Sequence, residues 1–309
     1  MNKDIRKFFS RVLAIGVLFA ICDQGFGIIL DQIRDNSPDG RYYKTAYSLD
    51  TSNEDIIILG SSRGEINYAP YLIEESLHLS CWDASRGGQG LPYMHAIEEG
   101  ILNRYNPKAF ILNVEADILE YPPFYQEAGF LRPFYKNHRE IQPEMDKISP
   151  QEHTKLYSRL YAYNSSFYYL LRPYLFHDLD GKISDKGWKP RDGQMHDPGF
   201  PFEIVDSDRS LNAEAVEELE TMVQELADRD IQLFLVISPN YGEKTVHSST
   251  IDYLTKLSKE KDIPLFNFAT DSTFVTHPEL FIDIQHLNRT GAEIFTRKLI
   301  EKIKATHKV

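Results

Sequence analysis

Short apolar segments alternate with amphipathic segments along most of the chain, and this alternation limits the fold more than any other feature. Five segments rich in β-branched or aromatic residues predict strands; they are residues 55–59, 79–84, 109–114, 231–238 and 264–268. Apolar residues at helical spacing predict helices over residues 93–103, 212–229, 248–259 and 291–305. Such alternation is typical of a parallel sheet covered by helices on both faces. We therefore expect an α/β fold with a doubly wound, mostly parallel sheet in three layers.

Residues 121–205 interrupt the alternation with many aromatic residues and prolines. They predict an insertion between two strands of the sheet, partly helical over residues 151–176. The insertion could form a lid over a site, because long loops of compact domains often carry function. It could equally be a small helical subdomain whose aromatic residues fill its own core.

The N-terminal segment is apolar from Phe8 to Leu30, which is long enough for a bilayer that needs about 20 residues. Basic residues precede it, and this flank predicts the N-terminus inside and the remainder outside. Residues of the small-x-small type expected at a cleavage site do not stand out, so an uncleaved signal anchor is favoured over a removed signal peptide. Arg11 and Asp23 count against a spanning helix, because charges inside a membrane are costly. An amphipathic first helix packed on the domain is the alternative.

These patterns predict an anchor over residues 1–31, a turn-rich linker over 32–54, and one α/β domain over 55–309 that contains the insertion at 121–205. The protein is then membrane-anchored through its N-terminal helix, with the domain outside the cytoplasm in the periplasm or at the cell surface.

The charge balance excludes one class of partner. Asp and Glu total 46 against 34 Lys and Arg, a formal charge of −12, so a broad basic surface for nucleic acid or anionic lipid headgroups is not expected. The two cysteines, Cys22 and Cys81, predict neither a disulfide nor a metal site with Cys/His spacing. We expect no metal and no cofactor.

Two serines, Ser61 and Ser62, follow the first predicted strand directly in LGSSRGE. The carboxyl ends of parallel strands are where open α/β sheets bind ligands. Gly60 permits a sharp exit from the strand. A serine at this place is also a common helix N-cap, so the segment alone does not separate a nucleophile from a capping residue.

Asp283 and His286 lie three residues apart in FIDIQHLNRTGAEIF. At that spacing the carboxylate can fix the imidazole tautomer while the other ring nitrogen faces a serine. The alternative is a loop Asp and His that make capping contacts before the last helix.

A glycine-rich loop, SRGGQGLP, follows the second predicted strand and contains Gly87, Gly88 and Gly90. Glycines allow a backbone N–H to turn toward an oxyanion. The loop is otherwise a plain strand-to-helix turn. It lacks GxGxxG and the Walker A lysine pattern, which disfavours nucleotide binding.

Taken together, the three segments resemble the SGNH (GDSL-type) hydrolase superfamily, in its membrane-anchored bacterial branch with GSSR in place of GDS. The early G-x-S matches Gly60-Ser61-Ser62, the glycine block matches Gly87-Gly88, and the late D-x-x-H matches Asp283 to His286 without a gap. The resemblance implies a flavodoxin-like sheet and a catalytic set of Ser62 as nucleophile, His286 as base and Asp283 as its orienting acid. It implies an oxyanion hole formed by Ser62, Gly88 and Asn113.

The chain departs from the family pattern after the third strand, where LNVEAD stands in place of G-x-N-D. Asn113 is the asparagine nearest to the family position, but Glu115 or Asp117 can occupy that place instead. Arg63 after the serine pair is a second departure. It could hold an anionic substrate group or pair with Glu65 or Glu115, and the structural ion pair is favoured.

The resemblance implies a serine esterase or O-acyltransferase that acts on acylated cell-surface glycans or related small-molecule esters. The alternative is a non-catalytic, membrane-anchored protein that binds a glycan or assists a membrane acyltransferase as its partner.

Overall fold

The computed structural model describes residues 3–164, 166–176, 186–196 and 203–308. Its strands are β1 Ile56–Leu59, β2 Cys81–Asp83, β3 Ala109–Asn113, β4 Glu203–Ser207, β5 Gln232–Ile237, β6 Glu243–Ser248 and β7 Leu265–Asn267. Its helices are α1 Lys3–Asp35, α2 Gly40–Ala46, α3 Ser62–Asn67, α4 Pro70–Leu77, α5 Leu91–Leu102, α6 Gln142–Asp146, α7 Glu152–Lys155, α8 Arg159–Ala162, α9 Phe167–Leu175, α10 Ala213–Asp228, α11 Ser249–Lys261, α12 Ser272–Val275 and α13 Arg289–Thr306. One π-helical turn covers Tyr47–Thr51, and 3-10 turns cover Ile118–Glu120, Tyr125–Phe134 and Pro278–Leu280.

Five strands form one sheet in the order β2-β1-β3-β5-β7. Each neighbouring pair is parallel. This is the flavodoxin-like order, in which the chain reverses its direction of winding at the first strand. The predicted doubly wound α/β fold is confirmed, and all five predicted strands are present.

Alternate residues of each strand are buried on opposite faces of the sheet, as a period of two requires. Ile57 and Leu59 of β1 pack in the core on the face that carries α5, α10 and α11. Ile56 and Ile58 pack in the core on the other face, against α4 and α13. Because both faces are buried, the strand reads in the sequence as the continuous apolar run IIIL rather than as an alternating pattern.

Side-chain caps define where the long helices begin. Asn212, Ser248 and Asn288 each accept a hydrogen bond from the backbone N–H three residues later, at α10, α11 and α13. These caps satisfy N–H groups that have no partner inside the helix. The predicted bounds of these helices therefore agree with the structure to within two residues at each end.

The N-terminal helix α1 is the one helix among the described residues that is long and apolar enough to cross a membrane, and a signal sequence near the N-terminus has the same properties. Its first 20 residues are exposed. Asp23 is buried at the beginning of α8, where it accepts hydrogen bonds from the backbone N–H groups of Arg159 and Leu160. The C-terminal part of α1 thus docks on the insertion.

Residues 32–54 differ from the turn-rich linker that the sequence predicts. They contain the end of α1, all of α2 and the π-helical turn. Tyr42 and Leu49 are completely buried. The side chain of Lys44 is also buried, and its ammonium group donates a hydrogen bond to the carbonyl of Gly187. Polar residues in this segment pack against distant parts of the chain, and local sequence cannot show that.

Among the described residues, the insertion contains the 3-10 turn Tyr125–Phe134 and the short helices α6 to α9, as expected for its partly helical part, and its last residues belong to β4. Phe134, Tyr163 and Leu170 are buried within the main core. Phe130 stacks on Tyr42 of α2. The exposed face of α9 carries the apolar side chains of Phe167, Tyr168, Leu171, Tyr174 and Leu175.

A two-stranded parallel ribbon of β4 and β6 lies beside the main sheet and is absent from the sequence prediction. Its strands are joined through α10 and β5, and its side chains Ile204 and Val246 are exposed. A short exposed strand pair lacks the buried apolar run by which the central strands are recognised.

Candidate active site

Ser62 lies where β1 ends and α3 begins. Gly60 makes the tight exit, because a Cβ at this position would lie 3.0 Å from both the Cα of Gly64 and the Cβ of Asn113. Ser61 caps α3 by accepting a hydrogen bond from the N–H of Arg63. Ser62 is then the first helical residue, whose N–H has no partner within the helix.

His286 and Asp283 lie in the loop before α13. The carboxylate of Asp283 accepts hydrogen bonds from the backbone N–H groups of Gln285 and His286, at 2.9 Å each. The loop is closed by a bond of 3.0 Å from the N–H of Ile282 to the carbonyl of His286. These local bonds explain why three residues of spacing bring the carboxylate and the imidazole together.

The three side chains form one hydrogen-bonded chain. Nε2 of His286 lies 2.7 Å from Oγ of Ser62, and Nδ1 lies 2.9 Å from both carboxylate oxygens of Asp283. Partial burial acts against ionisation of Asp283, but hydrogen bonds from the Gln285 N–H and the His286 ring outweigh it and lower the pKa of that carboxyl. The ionised acid can orient the ring so that Nε2 accepts a proton from Ser62.

Asn67 at the end of α3 tethers the histidine loop, and sequence reasoning missed it. Its buried Oδ1 accepts a hydrogen bond of 3.0 Å from the N–H of Leu287. Helix α3 therefore carries Ser62 as its first residue. Through Asn67, its last residue, it also holds Leu287, which follows His286. The sequence carries no signal for this contact, since the two residues belong to segments that only the fold brings together.

Gly88 lies in the glycine-rich loop with φ of +72°, a conformation that strongly favours glycine. The preceding N–H, that of Gly87, donates to Oε2 of Glu65 at 3.1 Å. This bond fixes the loop beside Ser62. The N–H groups of Ser62 and Gly88 are thereby candidates to stabilise an oxyanion.

Asn113 does not reach the surface of the site. It is completely buried at the end of β3, and its Oδ1 accepts hydrogen bonds from the hydroxyls of Tyr68 and Ser238. Its Nδ2 is sealed from solvent without a partner. Glu115 and Asp117, the two alternatives for that place, both line the site, and Glu115 accepts a hydrogen bond from the hydroxyl of Ser61.

A cavity of about 370 Å³ opens over Ser62. Gly88 and Glu115 form part of its wall, and the first residues of the insertion, from Tyr121 to Phe124, form another part. The first residues of the insertion therefore line the site, whereas Phe134 and Tyr163 are buried in the main core and the aromatic residues of α9 are largely exposed. The expectation of a subdomain with its own core is wrong, because the buried aromatic residues of the insertion belong to the main core. A lid over the site stays a prediction.

Arg63 departs from the ion pair that the sequence favours. Among the described residues, it has no carboxylate partner within 4.0 Å, since Glu65 faces Lys44 and Glu115 bonds Ser61. Arg63 instead lines both the first cavity and a second one of about 260 Å³. The two cavities also share Asp117, Tyr121 and Gln285, so they form one extended cleft.

We expect Glu65→Gln to be less stable than the wild type at pH 7 by about 3 kcal/mol, because removing one member of a buried ionic cluster is costly. Burial acts to raise the pKa of Glu65, but Lys44, Lys189 and the Gly87 N–H outweigh it and hold that pKa below its usual value of 4.5. A depressed pKa in the folded state gives stability that is present above about pH 4.5 and is lost as the pH falls. Urea unfolding of both proteins between pH 7 and pH 3 measures the difference, which should shrink in acid. A difference that stays constant with pH would show that the charge of Glu65 contributes nothing.

The fold and the site define an α/β protein with a Ser–His–Asp constellation at the carboxyl edge of its sheet. Among solved structures, the chain is similar to a protein assigned to the G-D-S-L lipolytic family from Desulfitobacterium hafniense DCB-2. The two share 12% sequence identity and a TM-score of 0.43, over 81% of this chain and 99% of that chain. No family model and no curated protein matches the chain. The likeness concerns the fold, and the roles of individual residues depend on the geometry of this site.

Proposed function

We propose that the protein is a serine-type ester hydrolase or O-acyltransferase that acts on acylated cell-surface glycans or related esters. The observation that carries this proposal is the 2.7 Å contact between Oγ of Ser62 and Nε2 of His286, with Asp283 on the other ring nitrogen. Nucleophile, base and orienting acid in this arrangement are what acyl transfer requires.

In the proposed mechanism, His286 removes the proton of Ser62 as its oxygen attacks the acyl carbonyl. The ionised Asp283 stabilises the imidazolium that forms. The backbone N–H groups of Ser62 and Gly88 stabilise the oxyanion of the tetrahedral intermediate. His286 then protonates the leaving alcohol, and an acyl-enzyme on Ser62 remains. Water completes hydrolysis, whereas a sugar hydroxyl completes acyl transfer.

The extended cleft supports a substrate larger than a simple ester. The second cavity adds Ser207, Arg209, Asn240 and Thr245 beyond the shared residues, and these offer several hydrogen-bonding groups in a row. A glycan presents many hydroxyls, which such groups can bind. We infer that the acyl group lies over Ser62 and that the glycan chain continues toward the β4–β6 ribbon.

Location is part of the same proposal. The exposed part of α1 runs from Lys3 to Cys22, and its apolar run from Phe8 to Cys22 corresponds to about 22 Å of helix at about 1.5 Å per residue, most of the roughly 30 Å of a bilayer core. Basic residues at its beginning favour the N-terminus inside. We infer that the domain lies outside the cytoplasm, close to the membrane, where a membrane acyltransferase could supply an acyl group.

A fluorophosphonate probe tests the activated serine without a guess at the substrate. We expect the full chain in detergent to be labelled and Ser62→Ala to remain unlabelled, because only a serine paired with a base reacts readily. Ser61→Ala is the matched control and should retain labelling. It loses the cap of α3, which is worth about 1 kcal/mol, and the hydrogen bond from its hydroxyl to Glu115.

Equal labelling of wild type and Ser62→Ala would contradict the proposed mechanism. An unlabelled wild type that is folded by circular dichroism would favour the alternative, a non-catalytic anchored protein that binds a glycan or assists an acyltransferase. Hydrolysis and transfer are then separated by supplying an acetylated donor with and without an oligosaccharide acceptor and measuring acetylated acceptor.

A further inference from the structure

Seven ionisable side chains meet between α5, α6 and α10, and none of them lines the two cavities of the cleft. They are His95, Glu98 and Glu99 of α5, Glu144 and Lys147 at α6, and Glu218 and Glu225 of α10. His95, Glu98, Glu144 and Glu218 are buried. Charged groups are rarely buried together unless they are paired or bind a metal.

The ring of His95 is held in one orientation. Its Nδ1 lies 2.6 Å from Oε1 of Glu218, and the other oxygen of Glu218 accepts a hydrogen bond of 2.8 Å from Lys147. A carboxylate on one ring nitrogen is the arrangement that orients a metal-binding histidine. It leaves the opposite nitrogen, Nε2, as the atom available to a ligand.

Nε2 of His95 has no hydrogen-bond partner although it is sealed from solvent. Oε2 of Glu225 lies 3.4 Å away from it. Two donor atoms on one tetrahedral ion, each about 2.1 Å from the metal, lie about 3.4 Å apart. The separation thus exceeds that of a good hydrogen bond and suits a shared cation.

Glu99 completes a set of three. It follows His95 by four residues, so both side chains project from one face of α5. One donor atom from each of His95, Glu99 and Glu225 lies within 4.8 Å of the other two. Oε2 of Glu99 is buried without a hydrogen-bond partner.

The cluster contains more carboxyl groups than cations, since five glutamates face His95 and Lys147. Oε1 of Glu98 is buried without a hydrogen-bond partner. A bound divalent cation would relieve this excess.

We propose that Nε2 of His95 and the carboxylates of Glu99 and Glu225 bind a divalent transition-metal cation such as Zn²⁺ or Mn²⁺. Imidazole with carboxylates favours these ions over Ca²⁺ and Mg²⁺, which prefer oxygen ligands alone. Glu99 and Glu225 are partly exposed, so the ion can enter from solvent and water can occupy its remaining positions. The ion joins α5 to α10.

This site differs from the sequence expectation of no metal. That expectation followed from the absence of Cys/His spacing, and Glu225 is far from His95 along the chain. The ion also bears on the cleft, because α5 begins directly after the loop that contains Gly88. By holding α5 against α10, the ion would stabilise α5, the helix that follows the Gly88 loop.

Cation binding competes with a proton. A transition-metal ion binds the unprotonated ring nitrogen, so the proton on Nε2 of His95 must leave before the ion binds. A cation on Nε2 displaces that proton, so the affinity must fall as the pH is lowered.

The test uses the full chain in detergent, free of a histidine tag, treated with EDTA and dialysed. Calorimetric titration with ZnCl2 should give one site per chain, and the apparent Kd should rise when the pH is lowered from 8 to 6. Zinc should also raise the unfolding temperature, since it binds only the folded protein.

Glu99→Gln and Glu225→Gln should each weaken binding at least about tenfold. Glu217→Gln changes an exposed glutamate of α10, the helix that carries Glu225. It is the matched control and should bind zinc like the wild type.

Three results would overturn the proposal. They are no saturable binding of ZnCl2 or MnCl2 at one ion per chain, equal affinity in Glu225→Gln and Glu217→Gln, and binding of Ca²⁺ alone. Fluorophosphonate labelling of Ser62 is measured separately, so the metal site and the proposed ester chemistry can fail independently.

Discussion

His286→Ala is expected to lower kcat/KM for p-nitrophenyl acetate by about 10⁴-fold to 10⁶-fold, since removal of a triad member leaves only the oxyanion donors and substrate binding. Nε2 of His286 is the one base within hydrogen-bond reach of Oγ of Ser62 among the described residues. Without it the hydroxyl keeps its proton, and attack on the carbonyl becomes slow. Initial rates at pH 7.5 with the full chain in detergent measure the effect.

His277→Ala is the matched control, because His277 is an exposed histidine nine residues earlier whose ring contacts Thr276 and the carbonyl of Ser272. We expect its rate to equal that of the wild type. A loss of less than tenfold in His286→Ala would remove the histidine from the mechanism. Added imidazole should restore part of the rate to His286→Ala and none to Ser62→Ala, because a free base can replace the histidine but not the nucleophile.

Phe295→Ala is expected to destabilise the protein by about 3–5 kcal/mol, the usual cost of removing a buried aromatic ring. Phe295 of α13 is completely buried and meets three rings edge-on, with centroid distances of 5.2 Å to Tyr68, 4.9 Å to Phe268 and 5.9 Å to Phe274. Edge-to-face pairs add stability beyond the area that they bury. Urea unfolding followed by circular dichroism measures the loss.

The same substitution reaches the candidate site. Tyr68 packs on Phe295 and donates to Asn113 at the end of β3, directly beneath the serine turn. Phe176→Ala is the matched control, because Phe176 is half-exposed and its truncation should cost much less. Equal midpoints for the two variants would mean that the ring cluster does not stabilise the sheet face that carries α13.

The central strands could be predicted because a parallel strand buried on both faces must be apolar throughout, as in residues 56–59 and 232–237. Helices α10, α11 and α13 could be predicted because the stripe that faces the sheet and the capping residue are both local. The Asp283–His286 pair was equally accessible, since the backbone of its own loop brings the two side chains together. By contrast, the segment 32–54 was misjudged, because Lys44 and Ser48 are buried by partners from distant parts of the chain.

The sequence by itself determined the alternation of strands and helices, the serine turn after β1 and the Asp–His loop before α13, because each depends on residues a few positions apart. The family spacing already favoured Ser62 over Ser61, and the tertiary structure places its Oγ against His286. Tertiary structure alone decided that Glu115 rather than Asn113 reaches the cavity and that Asn67 holds the histidine loop. It also placed Glu225 beside His95. The reason is physical: these contacts join side chains from segments far apart in the chain, and the packing of the helices on the sheet fixes their distance and direction.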